Sequence, residues 1–204
     1  MSNKDLALAA RSHEFSEIIH NSVCTDASGK VQELEKSIKQ FIKQLIYNHE
    51  RGNSVYLIGN GGSAGIVSHT VTDFVNVCRL RAFSLHDSSL MTCMANDFGY
   101  ENAFARVLNT ILRPKDILIA ISSSGKSANI CNAAQTVTQK NGIVVTFSGF
   151  HENNPLRKLG HINFWLNSND YGLVEIGHQF ILHNVADRFN YEYQRIQGVK
   201  TMVV

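Results

Sequence analysis

The chain has 204 residues, 44% of them hydrophobic, which fits one compact domain with a full core. A formal net charge of +2, without a stripe of lysine and arginine, argues against a nucleic-acid footprint. No stretch approaches the roughly 18 uninterrupted apolar residues of a membrane span, and the charged N-terminus is not a secretory signal. Cys24, Cys78, Cys93 and Cys131 form no CxxC pair and are interpreted as reduced thiols. We therefore expect a cytoplasmic protein whose partner is a small molecule, not a nucleic acid or a membrane.

The N-terminal quarter of the chain predicts helix, over about 10–50. Its apolar residues recur at three- and four-residue steps, at Leu34, Ile38, Phe41, Ile42 and Leu45. Arg51-Gly52-Asn53 interrupts this pattern, and the nearly all-apolar run 54–58 follows. Such a run predicts a strand that is covered on both faces, as in a parallel sheet.

Predicted strands and helices alternate along the rest of the chain. The further strands are predicted at 81–85, 117–121, 143–147 and 161–166. The helices are predicted from Ser63 onward and over about 88–112, 128–140 and 171–193. This alternation predicts an α/β fold with a doubly wound sheet of about five parallel strands flanked by helices. The whole chain, 1–204, is then a single domain, with a helical N-terminal arm over 1–50 and an α/β core over 51–204.

The first loop after a predicted strand is GNGGSAG, Gly59 to Gly65. Ligands of open α/β sheets bind beyond the carboxyl ends of the strands, where this loop lies. Its glycines let backbone amides approach a ligand closely, and Ser63 begins a predicted helix, where free N–H groups favour an anion. The loop fits neither the P-loop nor the GxGxxG pattern. The alternative is a tight turn that binds nothing.

The second loop follows the predicted strand 117–121. It places four serines around one glycine: Ser122, Ser123, Ser124, Ser127 and Gly125. A serine-rich helix start holds a phosphate through hydroxyls, main-chain amides and the helix dipole, with little need for arginine. An ordinary N-cap is the alternative, but a cap needs only one serine. The loop predicts a phosphate monoester as the ligand.

These two loops, with ANDFGYENAF between them, resemble the sugar isomerase (SIS) domain family. Within it they are similar to the phosphoheptose isomerase branch, which converts sedoheptulose 7-phosphate to D-glycero-D-manno-heptose 7-phosphate. The likeness extends from the N-terminal helix to the last helix. It implies an aldose–ketose isomerase of sugar phosphates that supplies heptose for a bacterial surface polysaccharide, lipopolysaccharide or capsule. It also implies a homotetramer with sites between subunits.

The resemblance also implies roles for individual residues. The serine loop would grip the sugar phosphate. The other implied substrate contacts are Asn60, Gly61, Gly62, Ser63, Asp73, Asn96, Asp97 and Glu175. The implied metal ligands, with zinc as the expected ion, are His69, Asp73, Glu175 and His183.

Aldose–ketose isomerisation needs a base for the carbon-bound proton and a group that polarises the carbonyl. His69 and Asp73 are four residues apart on one predicted helix, and Glu175 and His183 share a stripe of the last one. We take Asp73 and His183 as the catalytic residues, with His178 as a secondary candidate. Each alone is also compatible with a solvated helix position. Glu175 and His183 would lie about 12 Å apart along a continuous helix, so joint chelation requires that Glu175 sit on a bent helix start or reach into the site from an unusual angle.

The chain departs from the family pattern at two positions. Asp73 stands where glutamate is usual, and Glu175 where glutamine is usual. The exchange either keeps a carboxylate in the site for base chemistry or shifts the substrate range or the metal.

Two other functions remain open. Some SIS relatives are non-catalytic adaptors, including a type that assembles the replication initiator protein, but they lack the full acid–base set that Asp73 and His183 provide. Sugar-phosphate-sensing regulators usually carry an N-terminal helix-turn-helix domain. The first 50 residues leave too little room for one.

Overall fold

The computed structural model describes residues 6–196, which form one mixed sheet with helices on both faces. Its strands are β1 (Val23–Asp26), β2 (Val31–Gln32), β3 (Ser54–Ile58), β4 (Arg81–Ser84), β5 (Ile117–Ser122), β6 (Ile143–Ser148) and β7 (Ile162–Trp165). Its helices are α1 (Leu8–His20), α2 (Leu34–Glu50), α3 (Gly62–Asn76), α4 (Ser88–Phe98), α5 (Ala103–Ile111), α6 (Ala128–Gln139) and α7 (Tyr171–Ile196). Among these helices none is long and apolar enough to cross a membrane.

The strands lie in the order β2-β1-β7-β6-β5-β3-β4. From β7 to β4 every neighbouring pair is parallel, and this confirms the prediction of five parallel strands. The strands β1 and β2 add an antiparallel edge beside β7. Within residues 6–196 the sheet therefore has seven strands, two more than the apolar runs predict.

The central strands are apolar throughout because both of their faces are covered. Every residue of β3 and β5 is buried. Val55 and Leu57 face a core shared with α2, α3 and α7, whereas Tyr56 and Ile58 face a core shared with α5 and α6. The alternation follows from the two-residue period of a strand.

The predicted helix over 10–50 is wrong in its middle. The chain leaves α1 at His20, forms β1 and β2, and begins α2 only at Leu34. The carboxylate of Asp26 accepts hydrogen bonds from the N–H groups of Ser28 and Lys30, and Gly29 has a φ of +81°. These are the features of a tight turn. The turn brings β1 back to pair with β7, so part of the predicted arm belongs to the sheet.

The predicted helix over 88–112 is also interrupted. It consists of α4, a 3-10 turn at Tyr100–Asn102 and α5. The break is at Gly99, whose φ of +80° suits glycine and ends α4.

The strand order creates a crevice between β3 and β5. From β3 the chain continues to β4 on one side, whereas from β5 it continues to β6 on the other. The following helices α3 and α6 accordingly pack on opposite faces of the sheet. The loops after β3 and β5 diverge at this switch point, which is where open α/β sheets bind ligands.

Candidate functional site

The loops after β3 and β5 face each other across a cavity of about 260 Å³. Its walls come from these loops and from the start of α7. The lining residues are Asn60, Gly61, Gly62, Ser63, Ser122, Ser123, Ser124, Ser127, Tyr171 and Glu175. None of them is lysine, arginine or histidine. Any anion held here by the described part of the chain would be bound by hydroxyls and backbone amides.

Among the described residues, the serine hydroxyls of this loop bond only within the loop, and the Ser124 hydroxyl accepts from the Lys126 N–H at 3.3 Å. The hydroxyls of Ser122 and Ser127 are 3.2 Å apart, and the Ser123 hydroxyl is buried without a partner among the described residues. Ser127 precedes α6 but makes no side-chain capping hydrogen bond. Gly125 has a φ of +62°, and a β-carbon there would collide with Asn154, so the loop requires glycine. This arrangement suits a phosphate at the start of α6.

The glycine loop is tied to its surroundings by side-chain hydrogen bonds. The amides of Asn60 and Asn129 bond reciprocally, at 2.9 and 3.0 Å, and the Tyr100 hydroxyl donates to Asn60 at 2.8 Å. His86 bonds the Gly59 carbonyl through Nε2 and the Ser84 hydroxyl through Nδ1, each at 2.7 Å. Asn129 lies two residues after the serine loop, so the reciprocal pair couples the two loops directly.

A second polar group lies farther along α3 and α7. The ligand atoms of His69, Asp73 and His183 lie within 4.8 Å of one another. Asp73 Oδ2 is 2.9 Å from His183 Nδ1 and 3.4 Å from His69 Nε2. Both histidines are about half exposed, at 57% and 53%, whereas the Asp73 side chain is 14% exposed. These three residues form a possible metal-binding triad.

Glu175 does not belong to this triad. Its carboxylate lies at the start of α3, where a β-carbon on Gly62 would collide with it, and it lines the cavity. The triad therefore contains three of the four metal ligands that the resemblance implies, and the role of Glu175 as the fourth stays a prediction. Glu175 and His183 are about 12 Å apart along α7, from the helix rise of about 1.5 Å per residue.

Asn96 and Asp97, expected as substrate contacts, do not line the cavity. They are exposed on α4, where the Asn96 amide donates to Asp97 at 2.9 Å. From the motif ANDFGYENAF it is Tyr100 that reaches the glycine loop, through its bond to Asn60.

His178, the secondary candidate, is a buried structural residue. Its Nε2 donates to the Ser148 carbonyl at 3.1 Å, and its ring packs edge-on against Phe147. Burial lowers the pKa of His178 to about 4, because desolvation disfavours the charged ring. His178 therefore belongs neither to the lining of the cavity nor to the triad.

Three residues that the sequence patterns did not single out contribute to the site. Tyr171 lines the cavity, and Asn129 anchors Asn60. The Asp187 carboxylate lies 4.0 Å from His183 Nε2, on the side away from Asp73. The contact of His183 with Asp187 could have been predicted from their four-residue spacing on one helix.

Comparisons with known proteins agree with this architecture. A family model of the SIS domain matches residues 21–149. The phosphoheptose isomerase of Citrifermentans bemidjiense is 28% identical over 174 residues, covering 82% of this chain and 88% of that protein. The phosphoheptose isomerase of Mycobacterium tuberculosis is 32% identical over 150 residues, covering 71% of this chain and 76% of that protein.

A solved structure shares the fold. The phosphoheptose isomerase of Neisseria gonorrhoeae superposes with a TM-score of 0.78 at 21% identity, covering 90% of this chain and 97% of that one. The same sheet and helix arrangement thus occurs in a solved protein.

Proposed function

The chain belongs to the SIS-domain family and, within it, to the phosphoheptose isomerases, and from this premise we propose that it isomerises a seven-carbon sugar phosphate. The substrate pair is sedoheptulose 7-phosphate and D-glycero-D-manno-heptose 7-phosphate. The product would supply heptose for a bacterial surface polysaccharide. The 32% identity to the mycobacterial enzyme supports this substrate class.

The observation that carries the proposal is the cavity between the two loops. Four serines of the loop that precedes α6 line it, and the buried Ser123 hydroxyl lacks a partner among the described residues. A buried hydroxyl without a hydrogen bond is costly, and a phosphate oxygen would satisfy it. The phosphate end of the substrate is therefore placed at the serine loop, with Asn60, Gly61, Gly62 and Ser63 facing the sugar.

We propose zinc for the triad of His69, Asp73 and His183. Donors about 2 Å from a tetrahedral ion lie about 3.3 Å apart, close to the separations of 2.9 and 3.4 Å from Asp73 to the two histidines. Two imidazoles and one carboxylate form a common catalytic zinc set. When bound, such an ion would act as a Lewis acid on a carbonyl oxygen. That Asp73 and His183 also act in catalysis remains a prediction, since neither lines the cavity.

We propose one SIS domain over 1–204, a homotetramer that completes its sites between subunits, and a cytoplasmic location. The direct pairing of β1 with β7 supports the single domain, because it joins the N-terminal segment to the core sheet.

The direct test is to incubate the purified protein with sedoheptulose 7-phosphate and follow the aldose product by NMR, with and without added zinc. Formation of the manno-heptose 7-phosphate is expected. Tight binding of the sugar phosphate without turnover under either condition would instead support the alternative, a non-catalytic adaptor. The close contact of His183 with Asp73 favours the enzyme, because an adaptor does not need it.

A further inference from the structure

His86 contacts the glycine loop without lining the cavity. It follows β4, in which Ser84 is paired with Leu57 of β3. His86 and Gly59 are each two residues beyond this pair, so they lie side by side just past the ends of the two strands. The imidazole Nε2 is 2.7 Å from the Gly59 carbonyl oxygen. A side chain thus continues the hydrogen bonding that the backbone ladder provides within the strands.

The ring of His86 is held by three contacts. A carbonyl oxygen can only accept a hydrogen bond, so Nε2 carries the proton and donates to Gly59. In the neutral ring Nδ1, which is 2.7 Å from the Ser84 hydroxyl, is then the acceptor. The ring also packs edge-on against the buried Phe104, with 5.3 Å between the ring centroids. Together these contacts fix the orientation of the ring and the direction of the Gly59 carbonyl.

The direction of this carbonyl determines the direction of the next N–H group. The described residues contain no cis peptide bond, and in a planar trans peptide the C=O and N–H groups point in opposite directions. The Asn60 N–H shares its peptide with the Gly59 carbonyl and therefore points away from His86. Because Asn60 lines the cavity and His86 does not, this N–H is directed toward the cavity side of the loop.

Backbone N–H groups are what the glycine loop offers to a ligand. The Asn60 side chain is already engaged by the Asn129 amide and the Tyr100 hydroxyl. Within residues 6–196, the N–H groups of Asn60, Gly61 and Gly62 donate to no backbone carbonyl. Successive free N–H groups form a concave set of donors that suits an electronegative ligand atom, such as the oxygens of a sugar.

We propose that His86 is a positioning residue, which holds the Gly59 carbonyl and thereby aims the Asn60 N–H at an oxygen of the substrate's sugar. His86 itself touches neither the substrate nor the reacting atoms. The serine loop keeps the phosphate, so loss of the His86 hydrogen bond should affect the sugar part of the substrate alone. This proposal rests on the proposed isomerase function and adds to it the group that orients the glycine loop.

Two substitutions separate the hydrogen bond from the packing of the ring. His86→Phe keeps an aromatic ring against Phe104 and removes both ring nitrogens. His86→Gln places an amide donor near the position of Nε2 and can restore the bond to the Gly59 carbonyl. His13→Gln, which changes an exposed histidine of α1 in the same way, is the matched control.

The measurements cover catalysis, binding and the ring itself. Catalysis is measured as kcat and KM for sedoheptulose 7-phosphate. Binding is measured by titration with the non-reactive heptitol 7-phosphate and, separately, with inorganic phosphate. The tautomer of His86 in the unaltered protein is read from the nitrogen chemical shifts of isotope-labelled histidine, and the melting temperature of each variant is recorded.

For His86→Phe we expect kcat/KM to fall by about 10- to 100-fold, because a substrate that is slightly misplaced reacts more slowly. Affinity for heptitol 7-phosphate should fall by about tenfold or less, the scale of one hydrogen bond. Affinity for inorganic phosphate should not change. His86→Gln should recover most of the lost kcat/KM, and His13→Gln should match the unaltered protein. The ring should be the Nε2–H tautomer.

Three results would overturn the assignment. An Nδ1–H tautomer would mean that His86 does not donate to the Gly59 carbonyl. A kcat/KM of His86→Phe within twofold of the unaltered protein would show that nothing depends on this bond. Equal weakening of heptitol 7-phosphate and inorganic phosphate in His86→Phe, without recovery in His86→Gln, would make His86 a residue of the fold only.

Failure of the proposed function has a separate signature. The tautomer and the two affinities are measured without turnover. If the unaltered protein binds heptitol 7-phosphate but does not convert sedoheptulose 7-phosphate, the isomerase assignment is wrong, and these measurements still decide the role of His86. If the unaltered protein does not bind heptitol 7-phosphate, both proposals are wrong.

Discussion

At the scale of single residues, two positions of the site lack something that most residues have: the Ser123 hydroxyl lacks a hydrogen-bond partner among the described residues, and Gly62 lacks a side chain. Ser123 is buried with an unpartnered hydroxyl, and Gly62 has no β-carbon, which admits Glu175. Ser123, which lines the cavity, thus leaves one buried hydroxyl unsatisfied within residues 6–196. This is the expected state of a binding site, because groups reserved for a ligand cannot also be satisfied internally.

Ser123→Ala should weaken binding of the sugar phosphate without lowering the stability of the ligand-free protein. The hydroxyl makes no hydrogen bond in the described chain, so its removal should not lower the melting temperature of the apo protein. Affinity for the sugar phosphate should weaken by about 1–3 kcal/mol, since the anion loses one donor. Calorimetric titration with the sugar phosphate and with the unphosphorylated sugar measures this. Equal losses for both ligands would show that the loop does not bind phosphate.

His178 should make stability depend on pH. Its folded pKa of about 4 lies below its ordinary value of 6.5, so the native state favours the neutral ring. The part of the unfolding free energy that depends on the neutral ring is present above about pH 6.5 and is lost as the pH falls toward 4. It amounts to on the order of 3 kcal/mol in total. Urea unfolding of the protein and of His178→Gln across this range should give curves that diverge at neutral pH and converge in acid. Parallel curves would contradict the burial argument.

At the scale of elements, α3 and α7 contribute residues to both the cavity and the triad. Their starts meet at Gly62 and Glu175 beside the cavity, and their middles meet at Asp73 and His183. Each helix is a rigid rod that rises about 1.5 Å per residue. Packed side by side, the two helices therefore fix how far the contact of Gly62 with Glu175 lies from the contact of Asp73 with His183. The separation of the cavity from the triad is therefore built into the helices.

The triad should bind one zinc ion per chain. The double variant His69→Ala/His183→Ala should lose this binding in calorimetric titration, since a single carboxylate remains. Far-ultraviolet circular dichroism should be unchanged, because both side chains are half exposed. His13→Ala/His20→Ala, which removes two exposed histidines from α1, is the control. Retention of zinc by the first variant would place the metal elsewhere.

At the scale of the whole molecule, the strand order creates the site and the helical surface favours assembly. The switch between β3 and β5 opens the crevice. On the outside, α1 and α7 expose apolar side chains beside the contact of Phe15 with Phe180. Exposed apolar surface of this kind is typical of subunit interfaces.

Light scattering should give the mass of four chains of 22.7 kDa each. Ile176→Asp, on exposed α7, should shift the protein to smaller species, since a charge would be buried in the interface. Val31→Asp should not, although Val31 is similarly exposed, at 65% against 59% for Ile176, because it lies on the edge strand β2. A monomeric mass for the unaltered protein would contradict the tetramer.

The sequence predicted those elements whose signals are local. The strands at 54–58, 117–121 and 143–147 are runs of apolar residues, and the structure places them within a residue of these bounds. The serines and glycines of both loops follow such runs directly, so their convergence on one edge of a parallel sheet could be inferred. The turn at Asp26–Gly29 was missed because the helical period of the segments on either side concealed two short strands.

By itself the sequence determined the parallel α/β fold, the family and the two loops, because burial on both faces and special backbone angles each restrict residue type locally. Only the tertiary structure decided how the acidic residues are divided between the cavity and the triad. Periodicity places Glu175 and His183 on one stripe of α7, but it does not say which part of α3 each one meets. Gly62 meets Glu175, and Asp73 meets His183, because the packing of α3 against α7 sets that register.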